Sequence, residues 1–157
     1  MNRPVLIAVL AIGIVMTSSG ISALCSSGDS EAVISTIEEA YVKGIHIERD
    51  IPAVKEGFHE DFRMSMLRGG ALTHMSIAEW IGAIEKSIER DPSPPRHETR
   101  WEFPMVDVTG DAAVAKVEIF RDGTHIYSDY LSLYRFEDGW KIVSKIYFDH
   151  RQAGSKR

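Results

Sequence analysis

Cysteine is almost missing from this chain. The single Cys25 among 157 residues can form no internal disulfide, so the fold must rest on packing alone. Positive charge is short as well: 18 lysines and arginines face 23 aspartates and glutamates, a net charge of −5. That balance argues against nucleic acid as the main partner. No glycine-rich phosphate loop and no hydrolase serine elbow occurs, so two common routes to catalysis lack their motifs. The six histidines, His46, His59, His74, His97, His125 and His150, are scattered singly, with no two-histidine helix pair. No metal and no cofactor is expected on that basis, although His125 and His150 fall on one sheet face in the register derived below.

Long apolar runs are confined to the start, at residues 5–16. Arg3 precedes the run and a small-residue tract, residues 17–23, follows it, which is the layout of a secretory signal peptide too short to span a bilayer comfortably. The expectation is a signal peptide over residues 1–23, cleaved after Ala23, with an uncleaved anchor as the alternative. The mature protein is then exported, periplasmic or secreted. Cys25 sits where a lipoprotein carries its lipidated cysteine, but Ser22-Ala23-Leu24 fits that signal poorly. Membrane attachment is expected only if Cys25 is lipidated. Loss of residues 1–23 removes Arg3 and no acid, taking the charge from −5 to −6.

The remainder, with the chain 44% apolar and 26% charged overall, suits one domain with one core. Residues 24–29 read as a linker, 30–150 as the folded domain and 151–157 as a frayed tail. Asp29 or Ser30 can cap a helix whose apolar stripe is Val33, Ile37, Ala40 and Tyr41, ending at Gly44. Asp50 caps a short second helix with Pro52 in its first turn, carrying Val54 and Phe58 inward. Phe62-Arg63-Met64-Ser65-Met66 alternates as a strand, and Gly69-Gly70 turns it into a brief partner at residues 71–74. Ser76-Ile77-Ala78-Glu79 is a capping box opening a third helix with Ile77, Trp80, Ile81, Ile84 and Ile88 on one face. Asp91-Pro92-Ser93-Pro94-Pro95 ends it.

Three dipeptides, Gly110-Asp111, Asp122-Gly123 and Asp138-Gly139, then mark hairpin turns between strands at about 97–109, 112–121, 124–137 and 140–150. The fold class is α+β, with helices packed in the concave face of a strongly bent, mainly antiparallel sheet, in the order α-α-β-β-α-β-β-β-β. Two-residue loops would set Thr109 opposite Ala112, Arg121 opposite Thr124 and Glu137 opposite Trp140. One face then gathers Trp101, Phe103, Lys116, Glu118, His125, Tyr127, Asp129, Leu131, Leu133 and Phe148, with Lys116 directly opposite Asp129. It is assigned as the concave face. The other, with Val117, Ile119, Tyr130 and Tyr134, would be an uncovered apolar patch and so a homodimer contact. The inverted assignment is the alternative. A one-residue slip in the last hairpin would set Leu131 beside Lys145; the match of Leu131 and Leu133 with Ile142 and Ile146 speaks against it.

This element order resembles the nuclear transport factor 2-like superfamily, the cone shared with ketosteroid isomerases and polyketide cyclases. Within it, Tyr41-Val42-Lys43-Gly44, Phe58-His59-Glu60-Asp61-Phe62, Ser128-Asp129-Tyr130-Leu131-Ser132-Leu133 and Asp138-Gly139-Trp140-Lys141-Ile142-Val143 resemble the lumazine-binding family of small bacterial domains. The resemblance spans residues 31–150 and implies ligand binding. An isomerase of this fold resembles a proton shuttle with a carboxylate base on its first strand, but Arg63-Met64-Ser65-Met66-Leu67 has none. Tyr41 resembles the helix tyrosine that donates to a substrate oxygen, and Asp129 lies on a strand that can carry a second acid.

The expected function is therefore binding of a small hydrophobic or aromatic molecule inside the cone, without catalysis. Tyr41, Phe62, Trp80, Trp101, Phe103, Tyr127, Asp129 and Phe148 are the expected lining, with Lys116 near the mouth. One alternative is an isomerase or dehydratase-like enzyme using Asp129 and Tyr41 for proton transfer. Another is a non-catalytic dimeric interaction module whose cone is filled.

Overall fold

The computed structural model describes residues 27–152. The expected signal peptide, Cys25 and the end of the tail lie outside those residues. Among the described residues no helix is long and apolar enough to cross a membrane.

Helix α1 (Ser27–Thr36) takes in part of the expected linker and continues as a π-helix over Ile37–Ile47. Gly44 does not end it; the Glu48 N–H still bonds the Lys43 carbonyl, five residues back. That wider winding brings residues five apart onto one face. His46 therefore meets Tyr41 edge-on at 4.8 Å, where an α-helix would present Ile45. Helix α2 (Ile51–Gly57) starts as the sequence predicts, with the Asp50 carboxylate accepting from the Ala53 N–H at 3.2 Å. It stops at Gly57, where a Cβ would lie 2.2 Å from that of Ala40. Helix α3 (Ile77–Arg90) opens on the predicted Ser76–Glu79 capping box.

Strands β1 (Phe58–Arg68), β2 (Ala71–Ser76), β3 (Thr99–Thr109), β4 (Ala112–Arg121), β5 (Thr124–Phe136) and β6 (Gly139–Asp149) form one sheet in the order β2-β1-β6-β5-β4-β3. β1 runs parallel to β6 and every other pairing is antiparallel. This is the expected α+β cone, with the core between helices and sheet: Val33, Ile37 and Tyr41 meet Phe62, Val117, Leu131 and Ile142, all fully buried.

The faces differ from the expected ones because β-bulges interrupt all three ladders that join β3, β4, β5 and β6. Thr109↔Ala112 and Arg121↔Thr124 pair as expected. Asp122 and Gly123 both take positive φ, 48° and 75°, as a type I′ turn requires. At the last hairpin only Gly139 does, at 118°; the loop residues are Glu137 and Asp138, and Trp140 faces Arg135 rather than Glu137. Pro104, which has no N–H for the ladder, sits in the β3 bulge. Ile126 is the extra residue in β5 and Val143 the extra residue in β6. Each bulge moves the rest of its strand to the other face.

Four expectations are corrected as a result. Lys116 faces Tyr130, not Asp129, and lies on the outer side of the sheet paired with Glu118 at 2.6 Å. Phe148 is also outside, 52% exposed. Val117 and Ile119 are wholly buried beneath the helices, so they belong to no subunit contact. Leu131 does stand beside Lys145, the pairing that the regular register disfavoured. Tyr130 and Tyr134 are exposed on the outer face, where they were expected.

Helix α2 packs closely on the π-helical segment at Gly57. Gly57→Ala should lower stability by about 1–3 kcal/mol, because the new methyl overlaps Ala40 and the packed helix pair must separate. A urea melt that leaves the midpoint unchanged would refute that packing.

Candidate functional site

Three side chains from three elements meet in the interior of the cone. Tyr41 comes from the π-helical segment, Asp129 from β5 and Lys145 from β6, and all are buried. The Tyr41 hydroxyl donates to Asp129 Oδ2 at 2.6 Å, and the Lys145 ammonium donates to the Tyr41 oxygen at 2.6 Å. Asp129 Oδ1 receives no well-directed hydrogen bond, but its charge is met by the Lys145 Nζ at 2.7 Å. The triangle is closed.

Aromatic rings complete its surroundings. The Lys145 Nζ lies 4.6 Å from the ring centre of Tyr41, 4.9 Å from Tyr147, 5.3 Å from Trp80 and 5.7 Å from Tyr127. Each is within cation–π range, so part of the lost hydration is replaced by ring electrons. Burial still pulls the Lys145 ammonium below the usual lysine value, against the opposing pull of Asp129. Burial and then Asp129 push the Tyr41 phenol well above its ordinary value, so it remains a proton donor. Removing one partner of such a pair costs about 3–5 kcal/mol, while apolar replacement of both is often neutral. The triangle is therefore weak as a device for stability, and a buried, perturbed group of this kind is a functional candidate.

At the end nearer the β4–β5 turn, an Arg121 guanidinium N–H donates to His46 Nδ1 at 3.0 Å. Trp101 donates to Glu38 at 2.9 Å, and Arg151 donates to the Tyr127 hydroxyl at 2.6 Å. The Nε2 of His46 and the Nε of Arg121 are buried without a hydrogen-bond partner. Burial, then Lys145 and Arg121, hold the His46 imidazole well below its usual value, so it is neutral.

Of the nine residues expected to line a pocket, Tyr41, Phe62, Trp80, Trp101, Phe103 and Tyr127 lie in or against the hydrophobic core, and Asp129 is fully buried. Lys116 and Phe148 do not. Lys145 and His46 were missed: regular pairing puts Lys145 on the wrong face, and α-helical spacing turns His46 away from Tyr41. The available signal was a lysine on a sheet face otherwise made of alanine, valine, isoleucine and tyrosine.

An open cleft of about 650 Å³ lies beside this interior, bounded by Phe58, His59, Ile77, Ile81, Phe136 and Lys141 among others. None of the nine expected residues lines it. It is nevertheless one ring away from the triangle. Phe58 packs edge-on to Phe62 at 4.9 Å and to Trp80 at 6.1 Å, and Trp80 flanks Lys145.

Fold and interior together define a cone of the nuclear transport factor 2-like class. Residues 29–148 match the family described as "Putative lumazine-binding", and the chain belongs to it. Among solved structures it is similar to a nuclear transport factor 2-like protein of unknown function from Silicibacter pomeroyi DSS-3, at 26% identity and a TM-score of 0.62 over 76% of this chain and 94% of that one. A second, from Methylobacillus flagellatus KT, has 20% identity and a TM-score of 0.63 over 83% and 99% of the two chains, and shows the fold alone. Among curated proteins, an aldolase from Cladobotryum sp. is 27% identical over 127 residues, 80% of this chain and 94% of its own length.

His46 gives the interior a pH dependence. Its imidazole accepts a proton in the unfolded chain near pH 6.5 but resists one when folded, so the unfolded state binds more protons below that value. Stability should fall as pH drops below about 6.5, approaching about 1.4 kcal/mol per pH unit from this group. Urea midpoints across that range should lose this component of the slope in His46→Gln. An unchanged slope in the variant would show that His46 titrates freely.

Proposed function

We propose that this chain is an exported small-molecule-binding domain whose ligand lies between the cleft at Phe58 and the Tyr41–Asp129–Lys145 triangle. The observation that carries the reading is the triangle itself, a buried charged group in a family named for ligand binding. Its rings suit a flat, partly aromatic or hydrophobic molecule, and its donors suit an oxygen acceptor on that molecule. Trp80, half-buried, stands between Phe58 of the cleft lining and Lys145 of the triangle. Export rests on the layout of residues 1–23.

A second reading is an enzyme of the same site acting on a carbonyl compound. It is favoured by the lowered affinity of Lys145 for its proton and by similarity to a protein named as an aldolase. Lys145 would pass a proton to Asp129 and add to the carbonyl carbon, and loss of water would leave an imine. Tyr41 would donate to the carbonyl oxygen. In this scheme Asp129 and Tyr41 keep the proton-transfer roles expected from the sequence.

One set of titrations separates these readings. Thermal-shift measurements with lumazine and with aromatic ketones should show stabilisation, and Asp129→Asn should weaken it about tenfold, the value of one charge-assisted hydrogen bond. Ala78→Trp, at an exposed position in the cleft, should block binding without touching the triangle. Borohydride added with a ketone should attach the reduced ligand at Lys145 only if the enzyme reading holds. No stabilisation by any compound would leave a filled cone and overturn both.

The partner expected from the sequence is a second copy. Met105, Tyr130, Ile146 and Phe148 are all exposed on the outer face of the sheet, a patch suited to a homodimer contact. Sedimentation should give a dimer that dissociates in Tyr130→Glu. A monomeric wild type, or a variant that stays dimeric, would remove the outer sheet as the contact.

A further inference from the structure

The outer face of the sheet carries a second polar cluster, separate from the interior. Glu118 of β4, His125 of β5 and His150, just after β6, bring one carboxylate oxygen and two imidazole nitrogens within 4.8 Å of one another. Glu118 is buried, 8% exposed, although it stands on the solvent side of the sheet. His125 and His150 stack with ring centres 3.7 Å apart. His125 Nε2 lies 2.6 Å from Glu118 Oε2. Ser128, from the same strand as His125, donates to that oxygen at 2.5 Å and sits 2.9 Å from His150 Nε2.

We propose that Glu118, His125 and His150 form a binding site for one divalent transition-metal ion of the zinc type. The donor set is two imidazoles and a carboxylate, which leaves a fourth position for water. A tetrahedral ion with bonds of about 2.0–2.2 Å spaces its donors about 3.3–3.6 Å apart. That falls between the 2.6 Å contact of His125 with Glu118 and the 4.8 Å outer limit of the group, so side-chain rotation can close the site. The Nε2 of His125 faces two acceptors, Glu118 Oε2 and the Tyr127 carbonyl at 3.1 Å, and therefore carries the hydrogen in this arrangement. Ligation moves that hydrogen to Nδ1, with no net change in charge. The same holds for His150, whose Nε2 faces a Ser128 oxygen already used as donor.

Burial opposes the charge of Glu118, but hydrogen bonds from Lys116, Ser128 and His125 outweigh it and hold the carboxyl below its usual range. Lys116 pairs with Oε1 at 2.6 Å, leaving Oε2 to His125 and Ser128. It is also the nearby cation that a metal must tolerate. Its removal gives the proposal a distinctive test, since a residue serving only packing would not tune metal affinity.

Untagged protein titrated with cobalt(II) should develop visible absorption of a tetrahedral site, saturating at one equivalent and displaced by zinc(II). His125→Ala and His150→Ala, both at part-exposed positions, should fold and lose that absorption. Lys116→Gln should tighten zinc binding about tenfold by removing a neighbouring positive charge. Absorption that never saturates, or that survives both histidine variants, would overturn the site. An unchanged zinc affinity in Lys116→Gln would remove Glu118 as a ligand and the proposal with it.

Discussion

The interior of this cone is organised by one buried ammonium group. Lys145 is buried, only 4% exposed, so its charge requires a carboxylate, a hydroxyl and ring faces within a few ångströms. Each requirement falls on a different element. Asp129 must project inward from β5, Tyr41 must be presented by the long helical segment, and Trp80 must come from α3. The π-helical winding is part of the same constraint, because it places His46 as well as Tyr41 over the site. A neutral His46 beside Lys145 and Arg121 adds no third positive charge to a crowded interior.

Local sequence signals placed the elements well and the faces less well. Caps at Asp50 and Ser76 were legible because they depend on residues three apart, and the structure forms both. The Asp122-Gly123 turn was legible for the same reason. Asp138-Gly139 looked identical but differs: there the glycine follows the turn, and the ladder starts two residues out of the expected register. Pro104 does announce one bulge. Nothing local to Ile126 or Val143 announces the others. Bulges are set by how a strongly bent sheet must fit its helices, which is a tertiary demand.

That demand explains which parts of the site were legible. Tyr41 and Asp129 were recognised separately, through the family resemblance, and they meet at 2.6 Å. The charge expected opposite Asp129 was Lys116, since cross-strand pairing with a regular register leads there. The actual partner, Lys145, arrives from the opposite neighbour of β5 because the Val143 bulge rotates the end of β6 inward. The error lay in one residue of register, and it exchanged one lysine for another.

The same bulges divide polar chemistry between the two sides of three strands. Asp129 points into the cone while Ser128, one residue earlier, points out to Glu118. Lys145 points in while Ile146, the next residue, is exposed outside. The Ile126 bulge leaves His125 on the outer face although Tyr127, two residues later, is inward. Without it, His125 and Tyr127 would share a face, and the imidazole would face the aromatic cage rather than Glu118 and His150. A single inserted residue thus separates a dry interior, built around an ion pair, from an outer group of imidazole nitrogen and carboxylate oxygen donors. The two clusters share strands but no side chain, so each can be altered without dismantling the other.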